Sequence, residues 1–112
     1  MVVKHFIPDT ADIVWLDFDP QAGHEQRGRR PALVLSPALY NGKSGLAIVC
    51  PITGQVKGYP FEVLVRAGRI KGAILSDQVR SLDWRIRNAQ RAGKAPSESV
   101  DAVRQNLAAL LG

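Results

Sequence analysis

The run Leu46-Ala-Ile-Val-Cys-Pro-Ile52 constrains the fold more than any other stretch: it carries no charged or polar side chain and is bounded by Gly45 and by Thr53-Gly54. A run this short, closed by turn residues, reads as a central strand buried on both faces. Such a strand needs partners along its edges, and the chain supplies them. Asp12 to Phe18 sets Ile13, Trp15 and Asp17 against Val14, Leu16 and Phe18, and Arg30 to Ser36 reads as a second strand, with Pro31 tolerated at its start. Phe61 to Val65 alternates, and Ala73 to Leu75 resumes a strand after a basic turn over Arg66 to Gly72. Trp84 and Ile86 give the middle of Val79 to Ala92 a period of two, which predicts a further strand there. Pro37 to Gly42 reads as one helical turn capped by Ser36 and ended by Gly42. From Pro96 the period changes. Val100, Val103, Leu107, Leu110 and Leu111 share one helical face, and Glu98 and Asp101 complement the positive end of the helix dipole. About five or six short strands and one terminal helix point to a mainly β fold, a strongly bent sheet or partly open barrel with the helix at its side.

With 112 residues, 46% hydrophobic and 22% charged, the chain is read as a single domain able to bury a core without staples. Nothing reaches the roughly 20 apolar residues of a membrane span, and the apolar stretch at Met1 to Pro8 is too short for a signal peptide. The single cysteine, Cys50, lies in the apolar run with no flanking base to activate it, so it is read as a core thiol. The absence of any disulfide within the chain suits a reducing cytoplasm. Fifteen basic residues against ten acidic ones give a net charge of +5 and a pI near 9.9, which makes nucleic acid the leading class of partner.

Several chemistries lack their residues. There is no metal cluster at zinc spacing, no phosphate-binding glycine loop followed by Lys and Ser or Thr, and no second cysteine. No metal and no cofactor are therefore expected. What remains gathers at strand ends. Arg30, held by Pro31, presents a planar guanidinium suited to two hydrogen bonds with a phosphate. Thr53 closes the central strand, with Gly54 allowing close backbone approach. Between the first two strands, Glu25 reads equally as a proton carrier and as an ion-pair partner, and His24 as a general acid or a solvated side chain. Lys57 and the arginines between residues 80 and 94 form either a solvated face or a track for an RNA backbone. Phe18, at a strand mouth, either stacks on a base or belongs to the core.

The stretches Asp12-Ile-Val-Trp-Leu-Asp-Phe-Asp-Pro20, Gly23-His-Glu-Gln26, Arg30-Pro-Ala-Leu-Val-Leu-Ser-Pro37, Pro51-Ile-Thr53, Lys57-Gly-Tyr-Pro-Phe-Glu62 and Asp77-Gln-Val-Arg80 resemble, in order, the MazF/PemK family of toxin endoribonucleases. The resemblance implies an SH3-like barrel of the CcdB/MazF/PemK kind and a homodimer. It also implies metal-independent cleavage of single-stranded RNA by a toxin of a type II toxin–antitoxin system, and an acidic antitoxin that covers the RNA site. It assigns catalysis to Arg30 and Thr53, with Glu25 as a further candidate, and RNA contact to Phe18, Lys57, Asp77 and Gln78. His24, Arg27 and Arg29 join these as loop residues able to attract RNA. PemK-type members carry an arginine two residues before the aspartate matching Asp77; here that position is Leu75. The alternative is a non-catalytic toxin or RNA-binding module of the same barrel, gripping a protein target such as gyrase.

Overall fold

In the computed structural model, which describes residues 6–18 and 28–112, one strand is shared among three others. The elements run β1 (Asp12–Phe18), β2 (Gly28–Val34), α1 (Ala38–Ser44), β3 (Leu46–Thr53), β4 (Glu62–Ala67), β5 (Ile70–Leu75), β6 (Arg80–Asp83), β7 (Gln90–Lys94) and α2 (Ser97–Leu111). Every pairing is antiparallel. β3 lies against β2 on one edge, while on the other edge it meets β6 through Leu46 to Val49 and then β5 through Ile52 and Thr53. Pro51, which has no N–H to donate, falls between the two segments. The sheet therefore divides at the end of β3 and curls into a half-barrel.

The curl gives β1 and β3 a core on each side. Ile13, Leu33, Cys50, Ile52, Val65, Ile70 and Ile74 pack with Val100 and Val103 of α2. Val14, Leu16, Phe18, Ala32, Val34 and Val49 pack with Leu82 and Trp84 on the opposite face. The alternation along β1 is thus the predicted one, and each of its faces packs into a core. No helix among the described residues is long and apolar enough to cross a membrane.

Several sequence expectations need correction. The described strands number seven, and the second begins at Gly28 and stops at Val34. β4 and β5 extend to Ala67 and from Ile70, so the basic turn shrinks to Gly68-Arg69, with Gly68 at positive φ. Trp84 and Ile86 lie in turns between β6 and β7, not in a strand: Asp83 Oδ1 accepts the N–H groups of Arg85 and Ile86 and folds the backbone back. Ser76 to Gln78 form a single 3-10 turn after β5. In α2 the apolar stripe stops being core near its end, where Leu110 is 44% and Leu111 82% exposed.

The short helix also differs. α1 passes through Gly42 and ends at Gly45, which takes the left-handed conformation (φ 75°). Ser36 does not cap it; Asp9 Oδ1 does, accepting the Ala38 N–H at 2.8 Å. Ser36 Oγ instead donates to Asn41 Oδ1 (2.6 Å) and accepts the Ile48 N–H (2.9 Å). The Asn41 side chain, fully buried, donates to the carbonyls of Pro8 and Ser36, and the Asn41 backbone carbonyl accepts the Trp84 indole N–H at 3.0 Å. One amide thereby ties the N-terminal segment, the start of α1 and the loop before it together. Asn41→Ala would strand the Pro8 and Ser36 carbonyls and the Ser36 hydroxyl, and urea unfolding should show a loss of about 3 kcal/mol with the denaturant slope unchanged.

Candidate active site

The division of the sheet at the end of β3 sets the site. Thr53 pairs with Ala73 of β5, and Ala73 with Leu64 of β4. Directly opposed residues share a face, so these three form one row on the face of the sheet turned away from the α2 core; Leu64 is exposed there, Ala73 is buried, and Thr53, only 6% exposed, opens into a pocket. The Thr53 hydroxyl accepts the Gln55 N–H at 3.1 Å, which leaves its own proton to be donated outward. β5 approaches closely because residue 72 is glycine: a Cβ there would collide with the Thr53 carbonyl oxygen and crowd Gly54.

Two depressions flank Thr53. The first, about 430 Å³, is lined by Thr53, Gln55, Lys57, Tyr59, Phe61, Glu62, Leu75, Asp77 and Gln78. Its loop is held by Glu62, whose carboxylate accepts the N–H of Gly58 at 2.8 Å and of Lys57 at 3.2 Å. The Lys57 ammonium lies 5.9 Å from the centre of the Tyr59 ring. The second is an open groove of about 290 Å³ lined by Trp15, Arg29, Arg30, Pro31, Ile52, Gly54, Arg69, Ile70 and Lys71.

The structure accordingly brings Thr53, Lys57, Asp77 and Gln78 into one pocket and sets Arg30 at the neighbouring groove. The β2–β3 ladder ends at Ala32 and Pro51, and its register carried two residues past that pair sets Arg30 against Thr53. The two stand on adjacent strands at the same level. Arg29 is engaged: it donates to Asp17 Oδ1 (2.9 Å), the Asn88 carbonyl (3.0 Å) and the Gln90 side chain (3.3 Å). Phe18 is 3% exposed within the core, with the Arg80 guanidinium 5.8 Å from its ring centre, so the ring offers no open face for a base. Glu25, His24 and Arg27 lie outside the described residues. Among the described residues, no His, Cys, Asp and Glu side chains group as metal ligands.

Sequence reasoning passed over Gln55, Tyr59 and Glu62 as site residues. The signal for Glu62 was its place just after a Gly-containing loop, where a carboxylate can take the loop's free amides. Cys50 is the inert thiol expected, pushed up to about 12 chiefly by burial and secondarily by the charge of Asp77.

Residues 9–111 match the family model of the PemK-like, MazF-like toxins of type II toxin–antitoxin systems. The chain belongs to this family. Endoribonuclease toxin MazF of Escherichia coli (strain K12) is 43% identical over 111 residues, covering 99% of this chain and all of that protein. The crystal structure of MazF from Deinococcus radiodurans superposes with a TM-score of 0.92 at 54% identity, over 96% of this chain and 99% of that one. A MazE–MazF structure from the same organism matches at TM-score 0.87 and 54% identity, over 96% and 98%. The likeness confirms the mainly β half-barrel with its C-terminal helix.

In this toxin Asp17 fixes the stems of the β1–β2 connection. Its carboxyl is held below the ordinary aspartate value of 3.8, first by the Asn88 amide at 2.7 Å and then by Arg29. A depressed folded-state pKa means the contribution is complete above 3.8 and disappears as pH falls through the lowered value. NMR titration should place Asp17 below 3.8, and Asn88→Ala should move it upward.

Proposed function

We propose that the chain is the endoribonuclease toxin of a type II toxin–antitoxin system, cutting single-stranded RNA at a short sequence motif without a metal. The observation that carries this reading is the Thr53 hydroxyl, free to donate, one strand from Arg30 and between a pocket able to receive a base and a cationic groove. In the reaction the ribose 2′-oxygen attacks the adjacent phosphorus while the bond to the 5′-oxygen breaks. The products are a 2′,3′-cyclic phosphate and a 5′-hydroxyl. Arg30 and Thr53 donate to the phosphoryl oxygens as charge builds on them, and such fixed donors supply the larger part of the barrier lowering. Arginine keeps its protons at neutral pH, so proton transfer falls to another group. Glu25, the carboxylate of the β1–β2 connection, is assigned that role.

Lys57, Asp77 and Gln78 line the pocket as base- and phosphate-contacting groups, a mix of donors and acceptors suited to reading base edges. The basic surface also suits an acidic antitoxin segment, and the chain is taken as one toxin domain over residues 1–112, working as a homodimer in the cytoplasm. The non-catalytic alternative receives no support from the relatives, whose names are those of endoribonucleases.

Purified protein should cut an unstructured RNA in excess EDTA and leave intact the same RNA with 2′-deoxyribose at the cut nucleotide. Arg30→Ala and Thr53→Ala should each lower the rate about 100-fold while leaving circular dichroism unchanged. A strict metal requirement, or cleavage of the deoxy substrate, defeats the mechanism.

A further inference from the structure

Resting on that reading, the structure assigns a second RNA subsite: the groove between the β4–β5 hairpin and the start of β2 holds the phosphates of the strand flanking the cut, opposite the base-reading pocket. The register carries the inference. Lys71 stands directly across from Arg66, two positions along β5 from the Ala73 that pairs with Thr53. The two cations therefore form the row next to Thr53 on the same outer face. Like charges directly opposed on a sheet repel, and no carboxylate among the described residues forms an ion pair with Arg66, Arg69 or Lys71. An arrangement that costs stability in the free protein and lacks an internal counter-charge fits an external anion.

Lys71 also belongs to the groove. Its lining brings Arg69 and Lys71 of the hairpin together with Arg29 and Arg30 at the start of β2, beside the apolar Trp15 and Ile70. Among the described residues its lining contains no carboxylate and no amide side chain, the groups that read base edges as acceptors. It is suited to phosphates whatever the sequence. The pocket on the other side of Thr53, with Asp77, Gln78 and Gln55, holds the opposite complement. A strand laid over Thr53 thus has its bases read on one side and its backbone gripped on the other.

The test uses RNAs made uncleavable by 2′-deoxyribose at the mapped cut site: one extended about ten nucleotides on both sides, and two truncated just beyond the scissile phosphate, one on each side. Against the extended RNA, Arg69→Ala combined with Lys71→Ala should weaken binding about tenfold near 0.15 M salt. The slope of log affinity against log salt should become shallower by about 1.4, two single-strand phosphate contacts. One truncation, and only one, should cost the wild type a similar factor and cost the double variant nothing more. Both positions are exposed, and relief of the Lys71–Arg66 repulsion should hold or raise the thermal midpoint. Unchanged RNA affinity, full additivity with both truncations, or loss of affinity for the acidic antitoxin alone would overturn the assignment, the last giving the groove to a protein ligand. If the wild type neither binds nor cuts RNA, the proposed function itself falls. Wild-type cleavage with undiminished binding by the variant removes the groove alone.

Discussion

The architecture depends on β3 being one strand with two successive partners on a single edge. Backbone donors and acceptors along an edge must be satisfied, and β3 does this first with β6 and then with β5, the change falling at a proline that has no donor. A flat sheet has no room for both partners, so the sheet bends where they change. The bend gives β1 and β3 a core on each side and leaves the last residue of β3, Thr53, recessed at the edge of a pocket. A half-barrel and a recessed hydroxyl at its rim follow from the same geometric necessity.

Electrostatics around that rim is uneven. The pocket beside Glu62 and Asp77 mixes acid, amide, aromatic ring and one lysine, and its loop is held by a carboxylate gripping backbone amides. Across Thr53 the described lining is cationic or apolar. Arg29, counted among the cations of the groove, is also bound by Asp17, so its charge serves framework and ligand field at once. This division gives the strand a direction in which to lie, since bases and phosphates find their complements on different sides.

Much of this was legible in the sequence, and the parts that were not have physical causes. The apolar run at 46 to 52, the alternation of β1 and the period of α2 are signals of burial, and burial governs those elements. Trp84 misled because one apolar beat resembles another: its ring packs in the core from a turn, held by an indole hydrogen bond to a helix end that only folding brings near. Ser36 misled in the same manner, its hydroxyl being drawn to the buried Asn41 side chain rather than to the free N–H groups at the start of α1. Arg30 and Thr53 could be singled out by type and position, but their placement on neighbouring strands is a matter of register, which no single-sequence pattern carries. Gly72 was invisible as well, because its importance lies in the carbonyl it does not strike.

The β1–β2 connection leaves and returns at residues paired across the ladder, Phe18 opposite Gly28, with Asp17 and Arg29 clamped to each other and to the strand beyond them. Closure of this loop is enforced by the stems, and added residues would cost only slowly growing loop entropy. Arg30, two residues beyond the return, takes its place from the same clamp, since the ladder that sets Asp17 against Arg29 sets Leu16 against Arg30.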